Sequence, residues 1–299
     1  MNSVSALLRL QLAAVLFASA LQLHAQAPSL TVEQVIAKMR EAAGVTVMPN
    51  TVDTIKAGDP QTVVTGIAST ITPTMDVLRK AVAAHDNLIL THEPSFYNHL
   101  DADTLFKNDP VYQEKQAYIR EHGLVLFRWH DGAHTRKPDF IMEGWKQKAG
   151  WTTAKIESGE PEMYTSAPIT VNALAQKLQA ATGARVVRVI GDPNLTVTKI
   201  AYAPGAPGEA RQILALERDD IEVLVGGEIP EWETIAYVWD AQQQGRHKAM
   251  ILMGHYTSEE PGMENFAAWL KTVLPGTKID FIPAGESYWL PGHPPATKK

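Results

Sequence analysis

Ala249-Met250-Ile251-Leu252-Met253-Gly254-His255-Tyr256-Thr257-Ser258-Glu259-Glu260-Pro261-Gly262 is the stretch on which the fold turns. The unbroken apolar run from Ala249 to Met253 predicts a buried strand. Gly254 ends it, Ser258 is a capping residue, Pro261 suits a first helical turn, and the periodic run from Gly262 to Val273 predicts a helix. Glu259 would then lie near the positive end of the helix dipole. Strand, polar turn and helix in that order make half of a βαβ unit, and the turn carries a histidine and a carboxylate that can converge on one ion.

The same grammar extends in both directions along the chain. Strands are predicted over Val63–Ala68, Asn87–Thr91, Leu124–Trp129, Arg185–Ile190, Val197–Ala203, Ile221–Val225 and Lys278–Ile282. Helices are predicted over Thr74–His85, Asp109–His122, Lys137–Ala149, Val171–Ala181, Glu209–Glu217 and Pro230–Gln244. This alternation predicts an α/β fold of two packed lobes with mostly parallel or mixed sheets, in which ligands gather beyond the carboxyl ends of strands. Residues 28–290 are read as one bilobal unit, with the Gly/Pro/Glu-rich run from Ile156 to Ser166 as the link between lobes.

Two more strand ends carry the same chemistry. Asn87–Thr91 runs into His92-Glu93-Pro94, where Pro94 holds Glu93 out of helical conformation. Adjacent residues of extended chain point apart, so this pair suits two neighbouring metals, or one metal and its outer layer. Leu124–Trp129 runs into His130-Asp131-Gly132-Ala133-His134, two imidazoles and a carboxylate within five residues. A lone histidine at a strand end is an ordinary surface residue; three such ends, each with an acid nearby, are a metal-site pattern. His85, His122 and His247 lie near predicted helix ends, where a cation complements the dipole.

Composition narrows the chemistry. The chain has no cysteine, which removes thiolate sites, cysteine nucleophiles and disulfides and leaves His, Asp and Glu as ligands. A formal charge of −6 and the lack of any long basic run argue against nucleic acid. Arg9, the apolar run Leu10–Leu23 and the small residues around Ala25 read as an export signal over residues 1–25, which predicts a secreted or periplasmic protein with no membrane contact after cleavage. Residues 291–299 read as a flexible tail.

The segments Thr91-His92-Glu93-Pro94-Ser95-Phe96 and Gly254-His255-Tyr256-Thr257-Ser258-Glu259-Glu260-Pro261-Gly262 resemble the two hallmark segments of the Nif-three-like dinuclear-metal family, whose members are also called GTP cyclohydrolase I type-two homologues. Ile200–Gly208 resembles that family's Gly-rich turn, and Val223-Leu224-Val225-Gly226-Gly227-Glu228 its buried strand ending in a Gly-Glu pair. The likeness covers most of residues 30–285. Two positions depart from the family pattern. Glu93 stands where a second histidine is usual, and His134 stands where an aspartate is usual, so the bridging oxygen of that aspartate is lost.

The resemblance and the strand ends together nominate His92, Glu93, His134, His255 and Glu259 as metal ligands, with His130 or Glu228 as general base or orienter. Such a set suits one or two divalent ions of zinc, iron or manganese better than calcium or magnesium. The expected function is a metal-dependent hydrolase of a small nucleotide-like or heterocyclic substrate, the ion lowering the pKa of a bound water. The alternative is a ring-forming metal-binding or assembly protein without turnover, a homo-oligomer that the resemblance makes a hexamer. Serine-hydrolase chemistry lacks its Gly-x-Ser-x-Gly elbow.

Overall fold

The computed structural model describes residues 29–152, 155–157 and 161–293. The export signal expected over residues 1–25 and the end of the expected tail, 294–299, lie outside the described residues. In chain order the first part runs α1 (Val32–Ala43), β1 (Ile55–Ala57), β2 (Ile67–Thr70), α2 (Met75–Ala83), β3 (Leu88–Thr91), α3 (Pro110–Glu121), β4 (Val125–Arg128), α4 (Asp131–Thr135) and α5 (Phe140–Ala149). The second part runs β5 (Lys155–Glu157), β6 (Glu162–Thr170), α6 (Val171–Thr182), β7 (Arg188–Ile190), β8 (Thr196–Ala203), α7 (Glu209–Leu216) and β9 (Val223–Gly226). A wide turn (Glu231–Ile235), α8 (Ala236–Gln243), β10 (Ala249–Leu252), α9 (His255–Val273) and β11 (Ile279–Phe281) complete it.

Two mixed sheets result, of five strands in the order β1-β4-β3-β2-β11 and of six in the order β5-β6-β8-β9-β10-β7. β11, β2, β3 and β4 are parallel, as are β8, β9 and β10. Parallel pairing puts the carboxyl ends of β3 and β4 side by side, Thr91 opposite Arg128. In the other sheet it aligns Ala203, Gly226 and Leu252 in the same way. The central strands β2, β3, β4, β9 and β10 are buried at every position, as expected where helices cover both faces.

Each sheet packs apolar residues on both faces, and the two lobes share helices. α5 gives Phe140 and Ile141 to the core around β2–β4 and Trp145 to the core around β8–β10, where its ring stacks on Tyr202 at 4.6 Å. α5 and α9 cross closely because Gly144 and Gly262 leave no side chain in the way. A Cβ on Gly144 would lie 2.3 Å from the carbonyl oxygen of Pro261. The chain then returns through α9 to β11 on the first sheet, so the last strand does not belong to the second lobe.

The expected alternation holds, with differences that have physical causes. α1, β1 and the β5–β6 hairpin have no counterpart in the sequence reading. Glu162–Ser166, read as linker from composition, is part of β6, because pairing with β8 and burial of Met163 and Tyr164 override local composition. α9 begins at His255 rather than Gly262, with Pro261 inside it. Ser258 is therefore not its cap. Its hydroxyl donates to the His255 carbonyl (2.7 Å) and accepts from Gly205 N–H (3.0 Å).

Candidate metal centre

His92 and Glu93 follow β3, His130 follows β4, and His134 sits on the short α4. α4 is held by Asp53, whose carboxylate accepts the backbone N–H groups of His130 (2.7 Å), Asp131 (2.9 Å) and Gly132 (2.7 Å), the donors a helix start leaves unpaired. From the other sheet, β10 feeds α9, whose first turns carry His255 and Glu259 one helical turn apart on the same face. Glu228 lies just beyond β9. The strand ends of the two sheets therefore face one another, and all seven residues nominated from sequence meet at the junction.

Distances define one compact cluster. His255 Nε2 lies 3.1 Å from Glu259 Oε2 and 3.4 Å from Glu93 Oε1. His92 Nε2 lies 3.6 Å from Glu259 Oε2 and 3.9 Å from Glu93 Oε1, and His130 Nε2 lies 3.8 Å from Glu93 Oε1. The His92 ring stacks on His130 at 4.6 Å, and His134 meets both edge-on at 4.9 and 5.0 Å. Donor atoms of His92, His130 and His134 lie within 4.8 Å of one another, as do those of His92, Glu93 and Glu259, so His92 belongs to both groups.

The second layer has a single logic. Each of the four imidazoles turns Nδ1 to an oxygen: His92 to the Trp129 carbonyl (3.3 Å), His130 to Asp131 (3.0 Å), His134 to Asp139 (2.9 Å) and His255 to Glu228 (2.9 Å). An acceptor at Nδ1 fixes the proton there and leaves the Nε2 lone pair for a ligand, which is how metal-binding histidines are oriented. Asp139 serves twice, since Oδ1 caps α5 at Ile141 and Met142 while Oδ2 holds His134. Arg128, fully buried, donates from Nε to the His92 carbonyl (3.0 Å) and stands 3.9 Å from Glu93.

The residues fit a transition-metal ion. His92 Nε2 and Glu259 Oε2 are buried and have no hydrogen-bond partner, an arrangement that a coordinated cation would satisfy and an apolar environment would not. Gly205, at φ 63°, is part of the same design. A Cβ there would lie 2.2 Å from Glu259 Oε1, so only glycine lets that carboxylate reach the centre. The acid–imidazole set with nitrogen and carboxylate oxygen donors suits zinc, iron or manganese.

Charge states in the absence of an ion follow from the geometry. Burial, with His134 and His130 adding to it, holds the His92 pKa well below the ordinary histidine value. Burial opposes the charge on His255, but its hydrogen bond to Glu228 and the closeness of the Glu259 and Glu93 carboxylates outweigh it and push the pKa up to about 12. Burial likewise opposes the Glu93 charge, and the His255 hydrogen bond with the neighbouring imidazoles more than reverses that, holding Glu93 well below the usual carboxylate range. For His134 burial is again outweighed, here by Asp139, and the pKa is raised. The His255 bond also lowers that of Glu228.

From the sequence, His130 is a candidate base or orienter rather than a ligand. The structure gives it the same posture as the other three rings, Nδ1 held and Nε2 inward, and the same distance scale as His92. Glu228 takes the orienting position behind His255. Asp53, Arg128 and Asp139 were not singled out; for Asp139 the signal was present in Pro138-Asp139 ahead of an apolar helical run, a capping pattern. His99 lies at the rim, its ring 6.1 Å from His130.

The Duf34/NIF3 (NGG1p interacting factor 3) family model matches residues 31–286. No curated protein matches the sequence. Among solved structures, the chain is similar to a Bacillus cereus protein related to NIF3 at TM-score 0.69 and 11% identity, covering 87% of this chain and 98% of that one. It is similar to Staphylococcus aureus protein SA1388 at TM-score 0.67 and 14% identity, covering 87% and 99%. A third similar structure is reduced HcgD from Methanocaldococcus jannaschii, at TM-score 0.62 and 15% identity, covering 85% and 98%. At these identities the structural likeness speaks to the fold.

Proposed function

The chain belongs to the Duf34/NIF3 family, and from that premise we propose that it is an exported metal-dependent hydrolase acting on a small substrate. The observation that carries the reading is the convergence of four Nδ1-anchored imidazoles on two carboxylates at the wall of a cavity of about 840 Å³, which Glu93 and His255 line. A divalent ion bound there supplies Lewis acidity and an acidified water at neutral pH. His92, Glu93, His130, His134, His255 and Glu259 are the residues that would hold it.

Glu93, its pKa held low, keeps negative charge beside the imidazoles, and carboxylate oxygens there would offset an ion in a setting where burial magnifies charge. Glu228, half-exposed, lining the cavity and hydrogen-bonded to His255, orients that ring and is placed to accept a proton from a bound substrate. The test is a turnover screen of zinc-, manganese- and iron-loaded protein against phosphoesters, nucleotides and cyclic amides. Turnover abolished by His92→Ala supports the reading, and its absence with every metal and substrate class overturns it.

A second reading is a ring-forming metal-binding protein without turnover. It is favoured by Trp232 and Trp239, which are 79% and 60% exposed on the outer turn and α8 of the second lobe. Exposed aromatic side chains of that size suit a subunit interface. A monomeric particle in sedimentation would count against it.

A further inference from the structure

The cavity beside the centre has a second wall that the metal chemistry does not use. The segment after β11 leaves the first sheet and crosses to β7 on the second. Glu260 accepts Ala284 N–H (2.7 Å), and Glu286 accepts the N–H groups of Arg185 (2.5 Å) and Val186 (3.0 Å). These bonds pin a strap that places Tyr288 and Trp289 at the cavity, 66% and 52% exposed. Facing the same space from the first lobe is Tyr97, 53% exposed and held at φ 61°, a left-handed conformation unfavourable for a tyrosine. Three large rings left open to one cavity beside a candidate metal centre are a surface for stacking.

Most of the charged groups on that wall are engaged by hydrogen bonds or close ion pairs within the protein. Glu286 is taken by its two N–H donors and by Arg185, and the cavity-facing acids Glu93 and Glu228 turn to His255. Apart from histidines, the cationic side chains lining the cavity among the described residues are Lys115 and Arg188. Lys115 donates to the Ser95 carbonyl (2.6 Å) beneath the Tyr97 ring. Arg188, on edge strand β7, lies close enough to Glu228 to help lower that carboxyl's pKa, but its side chain makes no hydrogen bond or close ion pair among the described residues, and its guanidinium remains available as a planar two-pronged donor.

We infer that the cavity takes an aromatic or heteroaromatic anion, its carboxylate, phosphate or phosphonate on Arg188 and its ring against the strap residues Tyr288 and Trp289. The inference rests on the reading that substrate enters beside the metal centre, and it names the substrate class. It separates Arg188 and Trp289, which recognise, from the cluster that reacts.

The test is equilibrium binding to the zinc-loaded protein, followed by tryptophan fluorescence and calorimetry, with metal content measured on the same samples. The probes are phenylphosphonate, methylphosphonate for the charge without the ring, and benzyl alcohol for the ring without the charge. Phenylphosphonate should bind tightest, and Arg188→Ala should weaken it about tenfold or more, the scale of one charge-assisted contact. Arg188→Lys should recover part of that loss, and Trp289→Ala should remove most of the advantage of phenylphosphonate over methylphosphonate. Should alanine at 188 lower the melting temperature, Arg188→Gln takes its place. Equal affinity with and without the arginine, the result that direct coordination of phosphonate to zinc would give, overturns the inference while leaving the centre intact. Equal affinity for the two phosphonates, or no phenylphosphonate binding, also overturns it. Zinc-free protein that still binds phenylphosphonate through Arg188 supports the inference, whereas failure of the metal reading shows separately, as samples that hold no metal.

Discussion

The donors from the first lobe and those from the second are held by different means. His255 and Glu259 stand four residues apart on α9, so the helix itself sets their spacing, and the outer support of His255 is Glu228, whose side chain is 48% exposed. His92 and His130 lie just past two strand ends and His134 on the short α4, and each ring depends on an individual acceptor: the Trp129 carbonyl, Asp131 and Asp139. Asp139 is only 16% exposed and also caps α5. A site of this kind takes its precision from regular structure on one side and from a polar second layer on the other.

The comparison breaks most severely at the residue common to both donor groups. His92→Ala removes the buried nitrogen near both carboxylates and should weaken metal binding more than about 100-fold, beyond the 10- to 100-fold typical of losing an outer partner. The thermal midpoint of the metal-free protein should move far less than that of the loaded protein, because only the latter gains stability from the ion. Chelator competition reads the affinity, and an unchanged constant would remove His92 from the centre.

Asymmetry between the lobes is tested one layer out. Asp139→Asn keeps an oxygen to cap α5 but can present an N–H to His134 Nδ1, favouring the wrong tautomer, and should cost about 10- to 100-fold in affinity. Glu228→Gln, at the exposed support of a helix-borne histidine, should cost less than about tenfold. Equal losses for the two would show that α9 confers no advantage.

Much of the fold was legible because buried parallel strands are short apolar runs and their helices carry capping residues, as at Asp109-Pro110 and Thr74. The donors were legible for a related reason: polar residues abruptly ending an apolar strand have few structural uses, and three such ends stood out. What failed was local reading where tertiary contacts decide. Pro261 signalled a helix start, yet the packing of Gly262 on Ile141 and of Ser258 on Gly205 carries α9 back to His255. Arg128 is a long cation in an apolar run, and nothing within the strand announces that its role is to hold the His92 carbonyl. The spatial equivalence of His130 with the other rings required the distances.

A smaller effect sharpens the electrostatic side of the comparison. His255, its pKa pushed up to about 12 without an ion, is protonated at neutral pH and must release a proton to bind metal, whereas His92, shifted down, is already neutral. Below that pKa, affinity should therefore rise with pH, by about tenfold per unit for each proton released. Calorimetry in buffers of different ionisation enthalpy counts the protons. In His255→Ala the count should fall by one, and an unchanged count would place the proton elsewhere.

The central claim, that these two sheets assemble a transition-metal centre at their facing strand ends, is tested most directly by elemental analysis of protein purified without chelator. The account predicts between one and two equivalents of zinc, iron or manganese, falling sharply in Glu259→Ala while circular dichroism is unchanged. Less than about a tenth of an equivalent, even after reconstitution with each of the three metals, would contradict it.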